Sequence, residues 1–209
     1  MSQSFECPKA NIRTVESKML SKIYKNRLVK TLQQANLDIG MFSAKQGCAL
    51  FGSSVIRAMT WSQFAIKDLD MIVSSSVFPH VMEKLIQAGF KKNYILSSEY
   101  VGREGIQGNS FYVARFTASK RERGHGSIKQ IDCVVVTDTG VSFWSDIVKI
   151  LQGCDWSFTA CAFCKKFVGL YLEDVYARNG KFILPSTTPS AAQLARMAKY
   201  RARGFSFKA

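Results

Sequence analysis

The chain has 209 residues, a length that predicts one domain of ordinary size or a domain with an extension. Hydrophobic residues make up 47% and aromatic residues 12%, enough to build a core, which excludes intrinsic disorder, a collagen and a coiled coil. Lys and Arg number 29 against 15 Asp and Glu, so the formal net charge is +14, an excess typical of proteins that bind polyanions.

Neither a membrane span nor a signal peptide is predicted. No uninterrupted apolar stretch approaches the roughly 18 residues that cross a bilayer, and residues 1–6 lack the charged and then apolar order of a leader. We therefore expect a soluble intracellular protein with no membrane partner. The six cysteines are too few for a disulfide framework, so reduced thiols are expected. Cys161 and Cys164 form a single CxxC, and the sequence leaves open whether they bind a metal.

Hydrophobic patterning predicts an α+β fold in which helices flank a mixed β-sheet. In chain order, it predicts a helix over residues 14–34, a strand over 48–51, a helix over 54–61, a strand over 68–73, a helix over 78–88, strands over 110–117 and 128–137, and helices over 141–151 and 191–203. The last two strands should form a hairpin across a basic, glycine-containing loop. We expect a basic helical extension over 1–40, a core over 41–184 and a basic helical tail over 185–209.

The positive charge is concentrated at the two ends. Residues 1–40 carry a surplus of +4 and residues 165–209 a surplus of +7, whereas the middle of the chain is nearly balanced. Basic segments around a compact core are typical of nucleic-acid binding, although a merely solubilising surface would look the same. The candidate nucleic-acid-binding residues are Lys120, Arg121, Arg123, Lys129, Arg196, Lys199, Arg201 and Arg203.

Small residues follow the strand predicted over 48–51, and carboxylates lie within two later predicted strands. Gly52 and Ser53 would form a tight turn at which a phosphate can approach the backbone N–H groups of a helix N-terminus. Asp68 and Asp70 are two residues apart in a strand, so their carboxylates should project side by side. Such a pair is costly unless cations neutralise it, and its oxygens suit Mg²⁺ or Mn²⁺. Asp132 adds a carboxylate in an apolar strand, and pairing of the two strands would give the arrangement used in two-metal nucleotidyl transfer.

These three segments resemble the nucleotidyltransferase superfamily with the DNA polymerase beta-like palm. The stretch from Leu50 to Asp70 is also similar to the head motif of tRNA nucleotidyltransferases and poly(A) polymerases, with Ser53 where a second Gly is usual. The spacer of 14 residues between Ser53 and Asp68 is towards the long end of the superfamily range. The C-terminal part, from Cys154 onwards, resembles small nucleotidyltransferase-like proteins of large DNA viruses, which would place the protein in host cytoplasm or a virion.

The resemblance implies a role for each residue. Asp68, Asp70 and Asp132 would bind two Mg²⁺ ions, and Gly52 and Ser53 would bind the terminal phosphates of an NTP substrate. Arg57 and Lys67 would neutralise developing charge on the nucleotide. The implied reaction transfers an NMP to a hydroxyl acceptor, most simply an RNA or DNA end, with release of pyrophosphate.

Two other interpretations of the sequence are open. In the first, the protein has the same fold but no catalytic activity, and it is a basic nucleic-acid-binding or virion structural protein. Clustered carboxylates argue against this, because they give a polyanion binder no advantage. In the second, the protein is an unrelated globular protein, and Asp68, Asp70 and Asp132 are a turn cap, an exposed edge residue and a salt-bridge partner. The choice of NTP and acceptor and the oligomeric state are not predicted, and a protein partner is expected to supply acceptor specificity.

Overall fold

The computed structural model describes residues 12–94, 111–118, 128–137, 142–184 and 188–207. Within these ranges the helices are α1 (Lys18–Gln33), α2 (Ser53–Thr60), α3 (Phe78–Gln87), α4 (Phe143–Gln152), α5 (Leu172–Ala177) and α6 (Ala191–Arg201). The strands are β1 (Arg13–Thr14), β2 (Cys48–Phe51), β3 (Asp68–Ser74), β4 (Phe90–Tyr94), β5 (Phe111–Ala118), β6 (Gln130–Val136), β7 (Cys161–Phe163), β8 (Phe167–Gly169), β9 (Asn179–Gly180) and β10 (Ser206–Phe207). None of the helices in these ranges combines the length and hydrophobicity needed to cross a membrane.

Eight strands form one mixed sheet in the order β1-β8-β7-β2-β3-β6-β5-β4. The central pair β3 and β6 is parallel, and every other neighbouring pair in this sheet is antiparallel. Strands β9 and β10 pair separately and in parallel. The predicted α+β class with a mixed sheet and flanking helices is therefore confirmed.

The predicted elements match the observed ones to within a few residues, with one larger shift at the first helix. That helix begins at Lys18 rather than at residue 14, because the Ser17 hydroxyl accepts a hydrogen bond from the Leu20 amide (3.3 Å) as an N-cap. Arg13 and Thr14 instead pair with β8. The predicted hairpin is confirmed by the antiparallel register of β5 and β6, and the loop between them lies outside the described residues.

The sheet buries both of its faces, and alternate residues along a strand enter different cores. In β3, Leu69, Met71 and Val73 belong to the larger core, which also takes side chains from α1, α2 and α3, whereas Ile72 belongs to a second core with residues of α4. Asp68 and Asp70 share the face of Ile72 by the same alternation. The two aspartates therefore lie on the α4 side of the sheet, at the end where β3 begins.

Helix α1 packs into the main core through Leu28 and Leu32, both completely buried. At the other end of the chain, Tyr200 is the buried residue of α6 and belongs to the same core. The predicted boundaries near residues 40 and 184 stay a prediction.

Candidate active site

A cleft of about 290 Å³ opens where β2 ends and α2 begins. Five residues predicted from the sequence line it: Gly52, Ser53, Asp68, Asp70 and Asp132. Its other polar walls come from β5, the start of β6, the segment after α4, and α6: Arg115, Gln130, Asp155, Arg196, Lys199 and Tyr200. The fold thus brings the predicted phosphate-binding turn and all three predicted carboxylates to one cleft.

The turn between β2 and α2 has the features of an anion site. Gly52 has φ +73° and ψ −148°, a conformation that glycine alone adopts without strain. A Cβ atom at this position would lie 2.5 Å from Asp70 Oδ2, so the carboxylate approaches the turn as closely as a glycine permits. Ser53 is the first residue of α2, and its buried hydroxyl has no hydrogen-bond partner within the described residues. An unpaired hydroxyl at a helix N-terminus fits a phosphate oxygen.

Replacement of Gly52 by alanine should therefore damage both the fold and the site. The positive φ costs an alanine about 1–3 kcal/mol, and the added methyl group would collide with the Asp70 carboxylate. We expect Gly52→Ala to lose nucleotide binding measured by calorimetry, together with some stability in urea unfolding. Gly204→Ala is the matched control, because Gly204 also has a positive φ (+84°) but an added Cβ there meets only Arg178, at 3.8 Å. Unchanged nucleotide affinity in Gly52→Ala would contradict the assignment of this turn.

The three carboxylates come from two adjacent strands. In the parallel pair of β3 and β6, Asp70 is the register partner of Asp132, which confirms the strand pairing on which their predicted convergence depends. Asp68 and Asp70 are partly exposed to the cleft, whereas Asp132 is buried. Two partly exposed carboxylates on one face provide the hard oxygen donors that Mg²⁺ prefers.

Asp132 is occupied by protein partners. The Arg115 guanidinium donates from Nε to Oδ1 (2.8 Å) and from Nη2 to Oδ2 (3.0 Å), and the Gln130 amide donates to Oδ2 (3.0 Å). No group of three or more His, Cys, Asp or Glu side chains among the described residues is arranged to hold a metal ion. The donor chemistry of Asp68 and Asp70 thus fits a divalent cation, whereas Asp132 is held as the partner of Arg115. Its role as a third metal ligand stays a prediction.

The Arg115–Asp132 pair should contribute to stability. Asp132 is 7% exposed and Arg115 29% by side chain, so removal of either partner leaves a largely desolvated charge unpaired. We expect a double-mutant cycle of Arg115→Met and Asp132→Asn, measured by urea unfolding without divalent ions, to give a coupling free energy of about 1–3 kcal/mol. Additive effects of the two substitutions would show that the pair is not a structural unit.

The two other predicted nucleotide-binding residues lie outside the cleft lining. Arg57 is on α2, one helical turn after Ser53, and it is the one residue of that helix that is not buried. Lys67 is exposed, and its carbonyl accepts a hydrogen bond from the Lys129 amide (2.7 Å). Roles for both in binding nucleotide stay predictions.

The predicted nucleic-acid-binding residues have different surroundings. Lys120, Arg121 and Arg123 lie outside the described residues, and Lys129 is exposed just before β6. On α6, Arg196 and Lys199 line the cleft. Near the end of α6 and just beyond it, the Arg201 guanidinium lies over the Phe207 ring (5.6 Å) and that of Arg203 over the rings of Phe64 (4.1 Å) and Tyr200 (5.0 Å). Binding of nucleic acid by these side chains stays a prediction.

The cleft contains a second carboxylate–arginine pair that sequence reasoning missed. Arg196 Nη1 donates to Oδ2 of the buried Asp155, and Asp155 Oδ1 has no partner within the described residues. Burial, the largest single effect, lowers the pKa of the Arg196 guanidinium, but the charge of Asp155 and its hydrogen bond, with smaller contributions from Cys154 and Tyr200, together raise that pKa above its usual value. In the sequence, a lone carboxylate between Cys154 and Trp156 could have indicated that Asp155 has a buried partner. Its partner 41 residues away was not predictable.

Tyr200 lines the cleft and belongs to α6. Burial, with a smaller contribution from the Asp70 carboxylate, raises the pKa of its hydroxyl well above the usual value. The hydroxyl is therefore protonated at neutral pH and remains able to donate a hydrogen bond. Its ring packs edge-on against Phe158, with 4.7 Å between the ring centroids.

The CxxC cysteines are buried thiols that do not line the cleft. Cys161 donates from Sγ to the Phe158 carbonyl (3.6 Å). Burial raises the pKa of Cys164 to about 11 and that of Cys161 still further. Both thiols are thus protonated at neutral pH, a state that favours neither metal ligation nor redox chemistry.

The chain matches no protein-family model and no curated protein. Among solved structures, it is similar to a CCA-adding enzyme in complex with CTP, at 14% identity and a TM-score of 0.54 over 95% of this chain and 44% of that one. A CCA-adding enzyme in complex with ATP gives 13% identity and a TM-score of 0.53 over 95% and 44%. An apo form of a tRNA-processing enzyme gives 12% identity and a TM-score of 0.51 over 94% and 46%.

These similarities confirm the predicted nucleotidyltransferase fold. At identities of 12–14% they concern the fold alone. The chain spans less than half the length of these structures, so their further regions have no counterpart in the alignment.

Proposed function

We propose that this protein is a metal-dependent nucleotidyltransferase that transfers an NMP from an NTP to a hydroxyl acceptor at an RNA or DNA end. The observation that carries the proposal is the juxtaposition of Asp68 and Asp70 with the turn at Gly52 and Ser53 in one cleft. Phosphate-binding groups and metal-binding carboxylates in contact with each other are what a nucleoside triphosphate with its divalent cation requires.

Each part of the cleft has a separate task in this proposal. The Ser53 hydroxyl and the N-terminal amides of α2 would bind the terminal phosphates, because the hydroxyl is buried and unpaired. Asp68 and Asp70 would hold Mg²⁺ or Mn²⁺, which supplies charge neutralisation of the triphosphate and a lower pKa for the attacking hydroxyl. In the reaction, the acceptor oxygen bonds to the α-phosphorus, the bond to the bridging oxygen breaks, and pyrophosphate leaves with the hydroxyl proton released to solvent.

Helix α6 contributes two cationic side chains to the cleft. Arg196 and Lys199 line the cleft, where they would bind nucleotide or acceptor phosphates. RNA is the favoured acceptor because the similar structures are a CCA-adding enzyme and a tRNA-processing enzyme. A partner protein that supplies acceptor specificity is also part of this proposal.

A second function, a nucleic-acid-binding or virion structural protein with an inactive site, is favoured by one observation. Asp132 is paired with Arg115 and Gln130, and the described residues hold no ready-made set of three metal ligands. A viral origin is a separate proposal that applies to an active or an inactive protein, and it rests on the C-terminal resemblance alone.

Calorimetric titration of the full chain with each NTP, with and without Mg²⁺, distinguishes the two functions. The transferase proposal expects Mg²⁺-dependent binding of at least one NTP, followed by one-nucleotide extension of a labelled RNA oligonucleotide and release of pyrophosphate. Salt-sensitive RNA binding with no NTP binding would overturn it in favour of the inactive protein.

A further inference from the structure

A second cationic surface lies at the far end of α2. It consists of Arg27 from α1, Arg57 and Trp61 from α2 and its C-cap, and Tyr176 and Arg178 at the end of α5, and it is called here the Trp61 patch. Helix α2 begins at the cleft with Ser53, so along the helix axis Arg57 lies about 6 Å and Trp61 about 12 Å from the phosphate-binding turn.

The three arginines form a cluster of like charges with no acidic partner among the described residues. Arg57 lies one helical turn before Trp61, and burial, followed by the charges of Arg57 and Arg178, lowers the pKa of the Arg27 guanidinium. Arg27 and Arg178 donate to backbone carbonyls at the end of α2, of Ser62 (3.5 Å) and Thr60 (2.6 Å). No carboxylate forms a salt bridge with any of the three within the described part of the chain. Arg27 also keeps a buried Nη1 without a partner there.

The nearby carboxylates of α5 are already paired with other cations. Glu173 lies 3.7 Å from Arg13, and Asp174 lies 3.3 Å from Lys181. The carboxylates of α5 therefore do not cancel the positive potential of the patch, which is available to an external anion.

Exposed aromatic rings accompany these charges. Trp61 is 57% exposed although the Arg27 guanidinium lies over its ring at 4.9 Å, and Tyr176 is 43% exposed. Trp61 has φ +57° and Arg178 has φ +51°, a left-handed backbone that is unfavourable for both residue types. Trp61, Tyr176 and Arg178 line one hollow of about 250 Å³.

We propose that the Trp61 patch is a binding site for single-stranded RNA, in which Trp61 stacks on a base and Arg27, Arg57 and Arg178 contact the flanking phosphates. Stacking rings beside unpaired cations are the combination by which proteins hold single strands. An acidic peptide would meet the charges but would leave the exposed indole without a planar partner. If the bound RNA is the acceptor of the transfer reaction, that identification rests on the proposed function. RNA binding by the patch does not depend on it.

Fluorescence anisotropy with a labelled single-stranded RNA 12-mer tests the site on the full chain. Because a stacked base contributes about 1–3 kcal/mol, Trp61→Ala should weaken binding at least about fivefold, whereas Trp61→Phe should largely restore it. Trp144→Ala is the matched control, since Trp144 is also exposed (38%) but lies on α4, and it should leave the affinity unchanged. Arg57→Gln should reduce the slope of log affinity against log salt by about 0.7, the value for one lost phosphate contact.

The outcomes separate this site from the catalytic proposal. NTP affinity should be unchanged in Trp61→Ala, and RNA binding should survive Asp68→Asn/Asp70→Asn. If Trp61→Ala keeps the RNA affinity of the native protein and also binds NTP normally, RNA binding by the Trp61 patch is overturned and the proposed function is unaffected. If Trp61→Ala loses its native circular dichroism, the comparison of Trp61→Phe with Trp61→Leu decides instead, and equal RNA affinity of these two variants overturns the proposal.

Discussion

Replacement of both Asp68 and Asp70 by asparagine is expected to reduce nucleotide transfer by at least about a thousandfold. Asparagine keeps the size of each side chain but removes both negative charges from the cleft. Without them β3 provides no charged ligand for the triphosphate and its cation, and the remaining carboxylate, Asp132 on β6, is already held by Arg115. Incorporation of radiolabelled NMP into an RNA oligonucleotide, at saturating Mg²⁺ and NTP, measures the loss.

The matched control for this variant is Asp38→Asn. Asp38 is an exposed aspartate whose Oδ1 accepts a hydrogen bond from the Gly40 amide, a contact that an asparagine oxygen can also make. It lies outside the cleft, so transfer should be unaffected. Transfer by Asp68→Asn/Asp70→Asn within tenfold of the native rate would remove these carboxylates from the mechanism.

Among the substitutions considered, truncation of Phe158 to alanine is expected to lower the free energy of unfolding most, by about 3–5 kcal/mol. The Phe158 ring is completely buried and contacts three aromatic rings of the C-terminal segment: Tyr200 (4.7 Å between centroids), Phe205 (4.6 Å) and Phe207 (5.7 Å). The cavity therefore affects the packing of α6 as well as the core. Thermal unfolding should show a decrease in Tm of about 10 °C for a chain of this size.

Phe158→Leu provides the comparison, because leucine keeps most of the buried volume and should cost less than half as much. Since Tyr200 lines the cleft, Phe158→Ala should also weaken NTP binding at temperatures where the protein is still folded. Equal stability of the alanine and leucine variants would show that Phe158 does not anchor the C-terminal segment.

The elements around the turn were predictable from neighbouring residues. Cys48–Phe51 is an apolar run that ends at a glycine, and the observed β2 has those bounds. Alternation then places Asp68 and Asp70 on one face of β3, as predicted. These features depend on local periodicity and on one backbone conformation, so a few adjacent residues carry the information.

Short and polar elements were not predictable in the same way. Strands β7 and β8 have three residues each, too few for a period of two to be distinguished from any other apolar run. Strand β4 contains Lys91, Lys92 and Asn93, which are poor strand formers, and it forms because β5 pairs with it at the edge of the sheet.

Partners distant in sequence depend on strand order and helix docking. Arg115 reaches Asp132 across β5 and β6, and Arg196 reaches Asp155 only because α6 packs over the cleft. The residue pattern specified the turn, the Asp68–Asp70 pair and the excess of positive charge, because each is a property of adjacent residues or of composition. Tertiary packing decided that Asp132 forms an ion pair with Arg115 and that α6 lines the cleft, because side chains far apart in the chain meet only after the sheet has formed.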